Sequence, residues 1–183
     1  MGCAIRARRV IETERLVLRR WQADDAVWHH ALCNEPRVRA TLGAAPTLAD
    51  SADVIVRQNG YQESHGFCFW ALEPRTLGRM AGWCGLKPGT PPIEGETEIG
   101  WTIAPDLWGQ GLAREAAEAV LAWAWRNTAC PSIVAITTPG NTRSRALMRR
   151  IGMRHDRARD FDHPALSAND PLRRHVLYRI QRP

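Results

Sequence analysis

The segment from residue 96 to residue 126 constrains the fold more than any other part of the chain. It has the pattern of a strand, Glu96–Ile103, then a turn with Gly109 and Gly111, then an amphipathic helix that begins at Leu112. A glycine-containing turn at a helix N-terminus presents several backbone N–H groups to one point, where the helix dipole adds partial positive charge. The sequence therefore predicts an anion-binding site at this turn.

The remaining segments alternate between strand-like and helix-like patterns around this unit. Apolar–polar alternation and apolar runs bounded by turn residues predict further strands at residues 13–20, 67–72, 79–86, 133–137, 153–161 and 174–181. Helical spacing predicts helices at residues 23–34, 47–64, 112–126 and 142–151, with a helical turn at 36–42. The pattern predicts an α/β (α+β) sandwich with a mixed, mainly antiparallel sheet of about six to seven strands. We expect residues 1–12 to form a flexible leader and residues 13–183 a single domain.

Composition and charge exclude several classes of protein. No apolar run approaches the roughly 18 residues that cross a membrane, and the basic N-terminus lacks the apolar stretch of a signal peptide, so we expect a cytoplasmic protein with no membrane partner. Five cysteines without a C-x-x-C pair predict neither a disulfide framework nor a metal site. The net charge of +6 comes almost entirely from arginine, since Lys87 is the only lysine. The arginines are interleaved with acidic residues, which does not favour nucleic acid as the main partner.

Two motifs carry a family resemblance. The first is Glu98-Ile-Gly-Trp101 followed by Pro105-x-x-Trp-Gly-Gln-Gly-Leu-Ala113, and the second is Asn141-Thr-Arg-Ser144 followed by Ile151-Gly-Met153. In this order and at this spacing they resemble the GNAT superfamily of acyltransferases. Within it, the chain looks most like the branch that acetylates the N-terminal residues of ribosomal proteins. The resemblance extends over about residues 12 to 182.

The superfamily's pyrophosphate motif is Gln/Arg-x-x-Gly-x-Gly/Ala. Gly111 and Ala113 match it, and Trp108 stands where Gln or Arg is usual, which is familiar in this branch. The resemblance implies a GNAT-like fold in which the sheet is splayed centrally, between residues 96–103 and 133–137, with helices on both faces. Acetyl-CoA would lie in that gap, bound by residues of the central strand, the turn and the second motif: Trp101, Thr102, Ile103, Trp108, Gly109, Gln110, Gly111, Leu112, Ala113, Arg114, Asn141 and Ser144.

The resemblance also implies the chemistry, which is direct attack of a primary amine on the acetyl thioester in a ternary complex. The amine must lose a proton, and Glu98 on the central strand is the candidate base, since burial would raise its pKa. Glu96 competes for this role, and an ion pair between Glu98 and an arginine is the alternative. Backbone N–H groups of Trp101–Ile103 are the candidate donors to the oxyanion. Ser144 is the candidate donor to the thiolate, because Met148 occupies the position where many members have a tyrosine.

Three interpretations of the function stay open. The first is an N-acetyltransferase that acts on a protein N-terminus or a small-molecule amine, with Trp21 and Trp28 near the acceptor side. The second is a non-catalytic CoA-binding or regulatory module of the same fold, because Met148 cannot donate a proton. The third is an RNA- or ribosome-associated binding protein, suggested by the arginine content. Family habit implies a homodimer.

Overall fold

The computed structural model describes residues 9–43 and 45–183, and its elements follow the order expected from the sequence. Short 3-10 turns lie at Pro105–Leu107 and Arg157–Arg159. The helices are α1 (Asp25–Asn34), α2 (Pro36–Leu42), α3 (Leu48–His65), α4 (Leu112–Asn127) and α5 (Thr142–Arg150). The strands are β1 (Arg9–Glu12), β2 (Leu16–Arg19), β3 (Phe69–Pro74), β4 (Gly82–Pro88), β5 (Thr97–Ile103), β6 (Ser132–Thr137), β7 (Arg154–His155), β8 (Phe161–Asp162) and β9 (Arg174–Gln181).

These strands form a mixed, mainly antiparallel sheet, as the sequence predicts. Its order is β1-β2-β3-β4-β5-β6-β9-β7, and β8 pairs separately with β9. Only the β5–β6 pair among them is parallel, because α4 carries the chain back across the sheet between these two strands. Seven of the strands have four residues or more, and β7 and β8 have two residues each. No helix in the described part of the chain is long and apolar enough to cross a membrane.

The parallel pair in the middle of the sheet is barely formed. Glu98 of β5 pairs with Val134 of β6, and these two strands have no other paired position. Both strands nevertheless continue, to Ile103 and to Thr137. The sheet is therefore joined near the start of β5 and open beyond it, which confirms the central splay.

Helices cover both faces of the sheet. Trp70 of β3 contacts Trp123 of α4, with ring centroids 5.0 Å apart. On the opposite face, Trp83 of β4 lies 5.1 Å from the ring of His29 in α1. Because successive side chains of a strand point to opposite faces, α1 and α4 lie on different sides of the sheet.

The helix boundaries follow from capping side chains that the sequence makes visible. Thr47 and Asp50 form a reciprocal capping box at the start of α3, and Gly66 ends it with a φ of +80°. At α5, the Asn141 side chain accepts a hydrogen bond from the Ser144 N–H at 3.2 Å. The predicted starts of both helices are confirmed.

Two predicted boundaries are wrong. The expected leader at 1–12 includes β1, which pairs with β2 and buries Ile11; residues 1–8 lie outside the described residues. The expected strand at 153–161 is divided into β7 and β8. Its ladder is interrupted because the Asp160 carboxylate, at 3.0 Å, accepts the Leu177 N–H that a neighbouring strand would otherwise bond.

The joined end of the gap is held by one guanidinium group. Arg179 of β9 donates to both carboxylate oxygens of Glu96 at 2.8 Å and to the Ser132 hydroxyl at 2.9 Å. Glu96 precedes β5 and Ser132 begins β6, so this side chain joins three strands at the point where β5 and β6 separate. The Arg179 and Glu96 side chains are 18% and 16% exposed, which limits screening of the pair by water.

We expect Arg179→Met to lower the free energy of unfolding by about 2 kcal/mol, since it leaves the mostly buried Glu96 carboxylate with only the more distant Arg159, 3.7 Å away, as a cationic partner. Urea denaturation at neutral pH measures this loss. The control is Arg79→Met, which removes a pair between Arg79 and Asp106 with side chains 45% and 57% exposed. That change should cost less than about 1 kcal/mol. Equal losses in the two variants would contradict the special role of the Arg179 pair.

Candidate active site

The turn before α4 presents unused backbone N–H groups. Gly109 and Gly111 have φ values of +80° and +78°, a left-handed conformation that strains other residues. Gly111 is the N-cap of α4, and the first helical bond runs from the Glu115 N–H to the Gly111 carbonyl. Within the described residues, the amides before that bond donate to no protein group: those of Gly109, Gln110, Gly111, Leu112, Ala113 and Arg114. This geometry suits an anion.

Arg15 holds this turn from outside. Its guanidinium donates to the Gln110 carbonyl at 2.9 Å and to the Glu115 carboxylate at 2.6 Å, and Thr13 donates to the same carboxylate at 2.5 Å. Glu115 is the acid in the first turn of α4, and these contacts direct it towards the start of β2. The anion site is therefore not filled by the helix's own carboxylate. Sequence reasoning missed Arg15, which lies far from the turn along the chain.

Trp108 brings the N-terminal ends of α4 and α5 together. Its indole N–H donates to the Ile103 carbonyl at 2.7 Å. The Arg143 guanidinium, from the first turn of α5, lies 4.2 Å from the ring centroid, and that of Arg37 lies at 5.7 Å. Arg143 makes no ion pair with any residue that the structure describes. It lies inside the Asn-x-x-Ser motif, and sequence reasoning did not single it out.

Arg114 corrects one expectation. Its charge opposes the dipole of α4, and the sequence suggested that a bound anion would relieve this conflict. In the structure the guanidinium donates to Glu118, one turn further along the helix, at 2.8 Å. Both side chains are exposed, and Glu118 compensates the Arg114 charge at the helix surface.

Strand geometry decides which backbone groups of β5 face the gap. The Leu86 N–H donates to the Cys68 carbonyl, so the backbone groups of Leu86 point towards β3. The backbone groups of its neighbours Gly85 and Lys87, and of Trp83, therefore point towards β5. These three residues pair with Gly100, Glu98 and Thr102, whose backbone groups point back towards β4. By alternation, the N–H and C=O groups of Trp101 and the N–H of Ile103 point towards β6 and into the gap, whereas the Ile103 carbonyl on that side already accepts the Trp108 indole N–H. The backbone of Thr102 points to β4, which corrects its expected place among the groups that face the gap.

The two catalytic candidates approach the gap from opposite faces. Glu98 shares a face with Val134, whereas α5, which carries Ser144, packs its buried Met148 in the same cluster as Ile133, the next residue of β6. The Ser144 hydroxyl makes no hydrogen bond to another described residue. Met148 is 1% exposed and has no proton to donate.

Glu98 is buried beside a cation, as one of the two interpretations predicts, but the cation is a lysine and not an arginine. The Lys87 Nζ atom lies 2.6 Å from Glu98 Oε2. Burial raises the pKa of the Glu98 carboxyl, and the charges of Lys87 and His163 act in the opposite direction. Glu96, the competing base, is held by Arg179, which lowers the pKa of that carboxyl and makes it a structural group.

The two tryptophans proposed to contact the acceptor, Trp21 and Trp28, have different surroundings in the structure. Trp21 is 5% exposed and donates to the Phe69 carbonyl, so it is a core residue. Trp28 is half-buried and lines a cavity of about 270 Å³ between α1, α2 and the segment after β5; its other polar or charged lining residues are Glu35, Arg37, Arg79 and Asp106. Trp28 remains the candidate for an acceptor contact.

Comparison with known proteins agrees with this geometry. A family model described as an acetyltransferase (GNAT) domain matches residues 15–154. Uncharacterized protein YkkB of Bacillus subtilis is 28% identical over 154 residues, which are 82% of this chain and 88% of that protein. Among solved structures, the acetyltransferase from Agrobacterium tumefaciens has a TM-score of 0.76 at 25% identity, covering 99% of this chain and 98% of the other.

A second solved structure is RimL, a ribosomal L7/L12 α-N-protein acetyltransferase, in complex with coenzyme A. Its TM-score is 0.75 at 16% identity, covering 92% of this chain and 95% of the other, so it shows the likeness of fold alone. The family model covers most of the chain, and the chain therefore belongs to the GNAT acetyltransferase family. It is an acyltransferase of the GNAT type.

The buried His29 of α1 should make the free energy of unfolding depend on pH. It is 5% exposed, its Nδ1 lies 3.0 Å from the Ser51 hydroxyl, and burial lowers its pKa to about 4. The unfolded chain binds this proton below about pH 6.5, so the stability is complete above that pH and is lost as the pH falls towards 4. We expect a loss of up to about 3 kcal/mol from this group.

Urea denaturation between pH 7.5 and pH 4.5 measures this term. In His29→Gln the fall in stability over this range should be smaller than in the wild type. The control is His65→Gln, which changes an exposed histidine at the end of α3 and should keep the wild-type pH dependence. A His29→Gln profile parallel to that of the wild type would show that this histidine carries no such term.

Proposed function

We propose that this chain moves an acetyl group from acetyl-CoA to a primary amine, either a protein N-terminus or a small-molecule amine, by direct attack in a ternary complex. The observation that carries the proposal is the group of unused amides at residues 109–114, directly after Trp108, whose ring centroid lies 4.2 Å from the Arg143 guanidinium. An acyl-CoA has matching parts, since its anionic pyrophosphate is joined to a narrow polar arm.

The residues present fit this substrate. The pyrophosphate would bind the amides of the turn and the N-terminal end of α4, with Arg143 supplying a full positive charge. The amide-containing arm would pair with the backbone groups of Trp101 and Ile103 that point into the gap. Trp108, Asn141 and Ser144 would line the same opening. Among the described residues, the amides of the turn and the Ser144 hydroxyl have no hydrogen-bond partner, and Arg143 has no ion-pair partner, so these groups are available to the ligand.

The chain's own residues then account for the chemistry. Glu98 accepts the proton of the acceptor amine, because burial gives this carboxyl a raised pKa and therefore greater basicity. The N–H groups of Trp101 and Ile103 stabilise the oxyanion, since they face the gap. Ser144 donates a hydrogen bond to the departing thiolate. The acceptor enters from the side of α1, where Trp28 lines the cavity.

We further propose that the enzyme acts in the cytoplasm as a homodimer and that residues 9–183, with β1 included, form one domain. Cys33, Cys68 and Cys84 are buried free thiols, which is consistent with a reducing compartment. The homodimer is supported by family resemblance alone. Light scattering of the purified protein tests it.

A second candidate function is a non-catalytic CoA-binding module. It is favoured by Met148, which is buried where many relatives have a proton-donating tyrosine. This module would bind acetyl-CoA as tightly as an enzyme does but would acetylate no amine. Binding and turnover therefore have to be measured separately.

Binding of acetyl-CoA should raise the melting temperature of the protein. At about 100 times its dissociation constant the substrate adds about 2.7 kcal/mol. Arg143→Met should weaken binding about tenfold by removing one charged contact to phosphate. Arg150→Met, which removes an exposed arginine at the other end of α5, should keep the wild-type shift. If acetyl-CoA leaves the wild-type melting temperature unchanged, the proposed function is wrong.

Turnover should depend on Glu98 more than on Ser144. We expect Glu98→Gln to lower kcat/KM about 100-fold by removing the base, with unchanged acetyl-CoA affinity, and Ser144→Ala to lower kcat about tenfold. The assay offers a tetrapeptide with a free N-terminal serine, spermidine and a simple arylamine, and detects the released thiol. A wild-type protein that binds acetyl-CoA and acetylates none of them would favour the non-catalytic module.

A further inference from the structure

Lys87 is the only lysine of the chain and lies against the candidate base. It is in β4 directly opposite Glu98 in β5, so both side chains point to the same face of the sheet. The two side chains are 17% and 10% exposed, and Nζ lies 2.6 Å from Oε2. The pair is therefore fixed by strand register and largely removed from water.

Apolar surroundings strengthen the influence of this charge. Lys87 Nζ lies 5.9 Å from the centre of the Phe69 ring. The Phe69 ring packs over Gly100, and a Cβ atom at Gly100 would lie 2.7 Å from Phe69 Cζ. The position beside Glu98 on this face of the sheet therefore has room for the ring only because it is a glycine. Among the described residues, the charged groups that act on Glu98 are Lys87 from β4 and His163 from the segment after β8. An ion pair in such a site is weakly screened.

The choice of lysine differs from the rest of the chain. Two ion pairs of low exposure join an arginine to both carboxylate oxygens, Arg19 with Asp25 and Arg179 with Glu96. Such a fork occupies the whole carboxylate, whereas an ammonium is a compact charge that lies against one oxygen. At Glu98 that oxygen is Oε2, which is buried and receives no hydrogen bond of normal geometry. Oε1 has no donor among the described residues.

We propose that Lys87 is a positioning residue whose ammonium keeps the buried Glu98 carboxylate ionised and occupies Oε2, so that Oε1 is left to accept the acceptor's proton. This inference rests on the proposed function. In the step, an N–H bond of the acceptor ammonium breaks and its proton passes to Oε1. The nitrogen keeps the electron pair that attacks the thioester, and the acetyl–sulfur bond breaks to release the thiolate.

Two variants should fail in different ways. Lys87→Met removes the charge but leaves Oε1 open, so the pKa of Glu98 should rise by about one unit or more and the acid limb of kcat/KM should move up by the same amount. At pH values below the acid limb, kcat/KM of Lys87→Met should be about tenfold lower than that of the wild type for each unit by which the Glu98 pKa rises. At high pH the two proteins should have nearly equal kcat/KM. Lys87→Arg keeps the charge and the ionisation of Glu98, but its fork covers both oxygens and should lower kcat at every pH.

The first measurement is a ¹³C NMR titration of the glutamate side-chain carboxyls in the full chain, with Glu98 assigned by the signal that Glu98→Gln lacks. It needs no acceptor and should show a higher pKa in Lys87→Met and an unchanged one in Lys87→Arg. The second is the pH profile of peptide acetylation by both variants. Thermal melts confirm that each variant is folded.

Three outcomes would overturn the proposal. The first is an equal titration of Glu98 in the wild type and in Lys87→Met, and the second is full activity of Lys87→Arg. The third is a wild-type protein that acetylates no amine, since the inference then falls with the proposed function. The acetyl-CoA melt separates these cases, because it tests the substrate site and does not depend on Lys87.

Discussion

The single backbone pairing between β5 and β6 is the constraint on which the rest of the structure depends. Beyond Glu98 and Val134 the two strands separate, and the N–H and C=O groups of Trp101 and the N–H of Ile103, which a neighbouring strand would bond, face the gap instead. Unpaired backbone groups in a protein interior are costly, so a sheet that opens in its centre needs either water or a polar ligand there. Arg179 fixes where the opening starts, because its contacts to Glu96 and Ser132 hold the strands together at one end.

The N-terminal end of α4 also has backbone N–H groups without a protein partner. A helix N-terminus usually satisfies its first amides with a capping side chain, as Thr47 and Asn141 do for α3 and α5. At α4 the cap is Gly111, which has no side chain, and the acid of the first turn is directed away by Arg15. The helix thus keeps its amides and its positive potential for a group from outside. Arg143 adds a charge that no described carboxylate compensates, and together these features specify an anionic ligand.

Local patterns predicted most of the fold and the glycine turn at the start of α4. Helix caps, glycine turns and strand alternation are short-range signals, which is why α3, α4 and the strands around them were placed within a few residues. The interruption of the strand at 153–161 was not visible, because it depends on Asp160 replacing a backbone acceptor. Arg15 and Lys87 were missed as site residues for the same reason. Their contacts join positions that only the sheet register and the packing of α4 bring together, and no spacing along the chain records them.

Arginine and lysine act differently on the glutamate carboxylates around the gap. Arg179 uses forked donors to fix the position of Glu96, and a carboxylate bound through both oxygens is well placed but has little capacity left for a proton. Lys87 lies against Glu98 at one oxygen only, in surroundings where its charge is weakly screened. Burial alone would favour the protonated carboxylic acid, which cannot act as a base, and a bidentate arginine would favour a carboxylate that is fully occupied. An ammonium at one oxygen avoids both results, and a buried carboxylate can then remain charged and available.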